Sequence, residues 1–288
     1  MKKLKQLKRV GSMLIAIAMM LSSVPAAKAA SEPAKIYIST NGNDQNNGTL
    51  TAPFKTFGRA LDFIKSNQDK DITVYVRGGS YHLSEPVEFT NDIWNGKNQL
   101  LFKSYNNERV VLSGTLPLGR LDWRTYSKNA NICVANVGAG LKFDALFANG
   151  DKQILARYPN YVNGENLKDI VVTDSEIAKR VAEWQDPEGG YIRALHFDLW
   201  GGNDYIITGK NEASLQYKWV GDNNRGGGMS QNRIYENIFE ELDAPGEWFY
   251  DQNDGNLYFY PPEGLNIYDA FFEGASLERL IGFVGEKM

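Results

Sequence analysis

The chain has 288 residues, 42% of them hydrophobic and 23% charged, with a formal net charge of −4. That length and apolar content give one large or two modest domains with a real core, and exclude a disordered or low-complexity chain. A single cysteine, Cys133, excludes an internal disulfide, while 12% aromatic residues and 28 glycines lean towards β-structure with many turns.

Residues 1–29 have the anatomy of a secretory signal peptide. Lys2, Lys3, Lys5, Lys8 and Arg9 form a basic start, Met13–Leu21 is an unbroken apolar run, and Ala27-Lys28-Ala29 is a small-x-small cleavage site. The apolar run is shorter than the ~20 residues a spanning helix needs. Cleavage is expected between Ala29 and Ala30, giving an extracellular protein with no membrane contact afterwards. This stretch holds six of the 31 Lys and Arg and none of the 35 Asp and Glu, so the remainder carries 25 basic and 35 acidic residues, a net of −10. Such an acidic surface speaks against nucleic acid and anionic lipid as partners. Export without disulfides fits a bacterial protein, and a monomer is expected.

A short strand, Ile36–Ser39, runs into a loop crowded with Asn, Asp and Gly. Past Pro53, Phe57, Ala60, Leu61 and Ile64 stand at i, i+3, i+4 and i+7, one face of a helix with Thr56 as its N-cap. Short strands follow at Ile72–Val76, Tyr81–Leu83, Val87–Phe89, Leu100–Tyr105 and Val110–Ser113. Residues 74–76 recur at 100–102 and 87–89 at 110–112, offsets of 26 and 23 residues. That spacing belongs to solenoids, and a solenoid needs a lid over its first turn. The helix supplies one, so Phe57, Leu61 and Ile64 are expected to bury against Ile72–Val76.

After Gly114 the strands lengthen and hairpin turns appear. Phe143–Ala148 and Lys152–Arg157 flank Asn149-Gly150, the signature of a type I′ turn. Gly246–Asp251 and Leu257–Tyr260 form a second hairpin. Between them lie strands at Ile192–Phe197, Tyr205–Thr208, Leu215–Val220 and Arg233–Phe239. Thr173 and Glu176 make a capping box for one helix, which Pro187 ends. Residues 115–262 thus read as an inserted antiparallel, sandwich-like β-domain. Leu277–Gly285 returns to the earlier rhythm, so 263–288 is read as the resumption of the solenoid. With little more than two repeats visible, the expectation is a fragment of a longer array.

The N-terminal residues carry a resemblance. Tyr37-Ile38-Ser39, Asn41-Gly42-Asn43-Asp44, Asn47-Gly48-Thr49 and Pro53-Phe54-x-Thr56, followed by a helix and Gly79-x-Tyr81, resemble the opening of secreted right-handed parallel β-helix proteins of the pectin-lyase-like superfamily. Leu146–Gly150, Ala156–Asn160, Pro245–Asp251 and Gly255–Tyr258 resemble the insertion domain of glycoside hydrolase family 141-like proteins. The resemblance implies a mainly β chain: the N-terminal cap and first turns (30–114) of a right-handed parallel β-helix carrying the inserted domain. It also implies a secreted enzyme acting on polysaccharide or oligosaccharide, with catalytic carboxylates on later turns, beyond residue 288. The alternatives are a polysaccharide lyase and a non-catalytic glycan-binding β-helix.

Site chemistry is sparse. Asn41–Gly48 is rich in oxygen ligands, but calcium register places Phe54 where a bidentate Glu belongs, so a structural loop is the better reading. His82 and His196 stand alone, without metal or triad spacing, and read as core or edge residues. Asp198 and Asp204 flank an aromatic loop, Leu199–Asn203, which fits a sugar groove or a packed turn. Trp123, Trp184, Trp219 and Trp248 fall in expected strands or a helix, where core packing is the default. Arg225–Ser230 lacks phosphate-loop spacing and reads as a flexible crossover. No catalytic residue is assignable, and neither a cofactor nor a metal is expected.

Overall fold

The computed structural model describes residues 32–160, 166–221 and 228–285; the expected signal peptide and the first half of the Gly-rich Arg225–Ser230 segment, residues 225–227, lie outside them. The chain is mainly β; the described residues form six sheets of two to five strands and two α-helices.

Three of the sheets are parallel. Ala34–Ile38, Ile72–Val76 and Leu100–Ser104 stack in register, with Ile36 beside Val74 and Val74 beside Phe102. Gly79–His82 pairs with Val110–Ser113, and Val87–Thr90 with Ile281–Val284. One course of the chain therefore runs through 72–76, 79–82 and 87–90. The second runs through 100–104 and 110–113, and completes only at 281–284. Residues 114–280 are inserted before the last strand of that second course. Like residues stack between courses, as Tyr37 does on Tyr75 (5.1 Å between ring centroids) and Phe89 on Phe283 (5.2 Å). Such cross-strand pairs stabilise a ladder by a few tenths of a kcal/mol to ~1 kcal/mol each.

The repeat seen in the sequence needs two corrections. Val74 pairs with Phe102, an offset of 28 residues rather than 26. Val87–Thr90 does not pair with Val110–Ser113, because that strand lies over Gly79–His82; its own partner arrives after the insertion. Uniform spacing fails when one turn of the ladder swallows a long excursion.

Helix α1 (Phe57–Lys65) lies across the first course. Thr56 caps it, its hydroxyl accepting from the Arg59 N–H. Phe57, Ala60 and Ile64 are buried in one core with Ile36, Ile38, Ile72, Val74 and Val76, and Leu61 is half-buried against the same cluster. The expected packing of α1 against Ile72–Val76 is therefore present, with Leu61 only half-buried.

The remaining sheets are built from 115–275. One orders Asp151–Lys152, Ala145–Ala148, Phe272–Ala275 and Thr115–Gly119; it shares a core of Trp123, Leu146, Trp248, Phe259 and Phe272 with a second sheet built from Ile154–Leu155, Glu247–Asp251, Asn256–Phe259, Asn129–Asn136 and Arg124–Tyr126. Phe272–Ala275 runs antiparallel to both its neighbours, so antiparallel pairing extends past residue 262. The third sheet contains Arg157–Tyr158, Arg233–Glu236, Tyr191–Leu195, Gly202–Asn211 and Ser214–Val220. Helix α2 (Asp174–Glu183) packs on it through Ile177 and Val181, and carries the capping box expected at Thr173 and Glu176.

The hairpin at Asn149-Gly150 forms with both residues at positive φ (52° and 88°), as a type I′ turn requires. Its return arm is shorter than expected. Only Asp151–Lys152 pairs back; Ile154–Leu155 runs parallel to Glu247–Trp248, and Arg157–Tyr158 joins the third sheet. The arm crosses all three sheets and ties them together.

Candidate functional site

The Asn-rich loop spends its oxygens on itself. Asp44 Oδ1 accepts the N–H groups of Lys55 and Thr56, and Oδ2 accepts the Thr56 hydroxyl. These donors, the Thr56 backbone N–H first among the favourable contributions, hold the Asp44 carboxyl below its usual range against the opposing effect of burial. Asn43 and Asn47 close Asx-turns on Gln45 and Thr49. The carboxylate that a metal would use is committed to the entry of α1.

The site with the most chemistry lies where the ladders meet the inserted residues. His82 ends the strand Gly79–His82, and its Nδ1 lies 3.3 Å from the carbonyl of Thr115, 3.2 Å from the Thr115 hydroxyl and 3.5 Å from Glu273 Oε1. The Thr115 hydroxyl donates to Glu273 Oε1 at 2.8 Å, and the Ser113 hydroxyl sits 2.7 Å from it. A carbonyl only accepts, so these partners suit an Nδ1–H donor. His82 also lines a cleft of about 380 Å³ between α1 and the 80–87 turn, together with Lys55, Ser80, Ser84 and Glu85. A histidine beside a carboxylate on the rim of a cleft whose lining mixes apolar with polar side chains can hold a ligand hydroxyl and shuttle its proton. The sequence reading missed this, because Glu273 is far away in the chain and reaches His82 only through the strand order of the inserted sheet.

The other candidates are not assembled into a site. Asp204 is bound by Arg193, which also holds Glu236, whereas Asp198 sits at the tip of the 195–202 hairpin beside His196 and the Trp200 indole N–H. Phe197 and Trp200 on that tip are 66% and 56% exposed, yet the Trp200 ring packs within the turn on His196, 4.8 Å between centroids. Trp184 and Trp248 are core residues, Trp219 is half-buried, and Trp123 is buried just ahead of a strand rather than within one.

Glu247 belongs to the scaffold and is electrostatically unusual. It is buried, and its Oε2 accepts the N–H groups of Asp243 and Ala244 at 3.0 Å each. Burial pushes its carboxyl up to about 7, from 4.5, against those two donors and Arg157. A carboxyl raised on folding contributes stability that is complete below pH 4.5 and is lost as pH climbs through about 7. The shift corresponds to about 3 kcal/mol. Urea midpoints measured from pH 4.5 to 8 are expected to fall with pH in the wild type, and to fall distinctly less in Glu247→Gln. Parallel curves would assign the pH response elsewhere.

No protein-family profile matches the chain. Over 79 residues, 27% of the chain, it is 38% identical to 15% of the uncharacterized protein YwoF of Bacillus subtilis. Over 81 residues it is 28% identical to 18% of pectate lyase PEL9 of Emericella nidulans. Among solved structures, a glycoside hydrolase superposes on 88% of the chain with a TM-score of 0.66 at 23% identity, the chain covering 48% of it. At that identity the likeness is one of fold. The chain spans about half the length of this structural relative, and the matched segments are smaller fractions of the two curated ones.

Proposed function

We propose that the chain is the capped, N-terminal part of a secreted right-handed parallel β-helix protein that acts on carbohydrate, most specifically a glycoside hydrolase of the family 141-like type. One structural observation carries the reading. The ladders are covered at one end by α1, and beneath it they enclose an apolar cavity of about 440 Å³ that runs from Phe57 of α1 to the second course, lined also by Trp94, Phe102, Leu112 and Phe283. At the other end Leu100–Ser104, Val110–Ser113 and Ile281–Val284 are all edge strands. An unpaired, apolar ladder end calls for further strands. We place the catalytic carboxylates on those strands. In glycosidases such a pair stands ~5 Å or ~6.5–9.5 Å apart. Likeness to a glycoside hydrolase fold and to part of a pectate lyase supports carbohydrate as the substrate. Removal of residues 1–29 on export belongs to the same proposal, as does an inserted domain between ladder residues 30–113 and 281–284, which reaches past the expected boundary at 262 to take in Phe272–Ala275.

The test compares residues 30–288 with the longer gene product on xylan, pectin and fucosylated glycans. The longer protein is expected to release reducing sugar without the ultraviolet-absorbing unsaturated product of a lyase, and residues 30–288 to release none. Turnover by residues 30–288 alone, or a gene product ending at residue 288, would overturn this placement of the catalytic carboxylates.

A further inference from the structure

A second cleft, of about 630 Å³, opens between the Trp248 sheet and the segment that follows α2. Its floor is aromatic. Tyr126, Phe239, Phe249 and Tyr258 touch edge to face, with ring centroids 4.9–6.0 Å apart, and all four are only partly buried. Aromatic clusters that finish inside a core need no further partner; this one ends at a wet, polar wall.

The wall is acidic and amide-rich. Asp186, Glu188, Glu240 and Asp251 line it with Asn237 and Gln252, and no Lys, Arg or His belongs to the lining. Backbone donors fix several of these groups in place. Glu240 Oε1 accepts the Gln185 N–H at 2.9 Å, Asp251 Oδ1 accepts the Asn253 N–H at 2.9 Å, and Asp186 Oδ1 accepts the Glu188 N–H at 3.2 Å. The other oxygen of Glu240 has no exposed surface and no partner among the described residues. A ligand in the cleft does not reach that oxygen and meets the rest of the Glu240 side chain, which lines the wall.

A ligand for this cleft must bring many hydrogen-bond donors, one apolar face for the aromatic floor, and no negative charge. Carboxylates and phosphates are repelled by four acids without a cation among them. A metal ion does not solve the problem either, since no group of three acidic, His or Cys side chains among the described residues is arranged to hold one. Neutral pyranose chains have the required chemistry: hydroxyls around the edge and C–H faces above and below. The volume lies in the range of ligand sites.

From this we infer that the cleft is a binding site for a neutral oligosaccharide, seated on the Phe239, Phe249 and Tyr258 rings with its hydroxyls donating to Glu240 and Asp251. It deepens the proposed function by naming the glycan as uncharged. It rests on that reading for the substrate class, but its test needs no turnover.

Isothermal titration of the full chain with xylohexaose, cellohexaose and mannohexaose, and with trigalacturonate as the charged probe, decides the matter. At least one neutral hexaose is expected to bind, and trigalacturonate is not. Glu240→Gln and Asp251→Asn stand on different elements; each is expected to weaken binding by about tenfold or more, with the melting temperature held near wild type. Trp200→Ala, on the exposed hairpin tip, is expected to leave binding unchanged. Silence with all neutral probes, tighter binding of trigalacturonate, or loss with Trp200→Ala but not with the cleft variants would overturn the inference. Hydrolysis by the longer protein combined with silence here would remove the cleft and leave the proposed function standing; binding here without any turnover would do the reverse.

Discussion

Phe54→Ala is expected to lower stability by about 4 kcal/mol, the range for deleting a fully buried phenyl ring. Phe54 has no exposed surface, although it stands in a loop. Its backbone extends the ladder as a parallel bridge to Ile38, its N–H donating to Tyr37 and its carbonyl accepting from Ser39. Its ring is the floor of the Asn-rich loop. A Cβ at Gly48 would lie 2.6 Å from it, and the Arg59 guanidinium covers it at 4.5 Å. Removing the ring therefore empties the space under α1 and unseats the loop together. Gly42→Ala attacks the same place from the backbone, since its Cβ would fall 2.2 Å from the Phe54 carbonyl oxygen. Hydrogen exchange at Ala34–Ile38, read beside the urea midpoint, checks the assignment. Both should report the loss for Phe54→Ala, whereas a variant that shifts the midpoint without exposing those amides would mean that the lid is held by other contacts.

The lid was legible in the sequence because its signals are local. Thr56, the spacing of Phe57 and Ile64, the Thr173 capping box and the Asn149-Gly150 turn each act within a few residues, and each is formed as expected. The ladder was half legible. Ile72–Val76 over Leu100–Ser104 could be found, with a slip of two residues, because one turn of chain separates them. The partner of Val87–Thr90 could not, because residues 114–280 intervene and nothing local in Val87–Thr90 points across them. Sites suffer most from this. His82 meets Glu273, and the aromatic cleft draws on segments near residues 126, 186, 239 and 250, each unremarkable alone. The Asn-rich loop shows the opposite error to be avoidable. Its composition invites a metal and its calcium register argues for a structural loop, and the Asp44 carboxylate accepts three hydrogen bonds from Lys55 and Thr56 at the entry to α1.

Glu241→Ala is expected to cost about 2–3 kcal/mol, chiefly the penalty for leaving the buried Trp184 indole N–H without its acceptor. Glu241 is almost completely buried in the short turn Phe239–Glu241; its Oε1 accepts the Trp184 indole N–H at 2.7 Å and its Oε2 accepts from Arg180 at 2.6 Å. Burial holds its carboxyl above the usual range, with Trp184 and Arg180 pulling the other way. Arg180 stands in the last turn of α2 and Trp184 is its C-cap, and the Val181 and Trp184 carbonyls accept from Lys210. One side chain thus pins the end of the helix to the turn. Without it, the buried Trp184 N–H has lost its acceptor, while Arg180, which stacks 4.0 Å over Tyr158, swings towards water. Glu241→Gln keeps an acceptor for the indole and loses only the charge, so its cost is expected to be about 1–2 kcal/mol. A Trp184→Phe, Glu241→Gln double-mutant cycle measures the coupling. The pin also has a functional reach. Glu240, the next residue back, and Gln185, the next beyond Trp184, form one wall of the aromatic cleft through a 2.9 Å hydrogen bond. Glu241→Gln should therefore bind neutral hexaose nearly as wild type does, while Glu241→Ala, assayed well below its lowered melting temperature, should bind several-fold more weakly. Equal binding by both would detach the cleft from the pin.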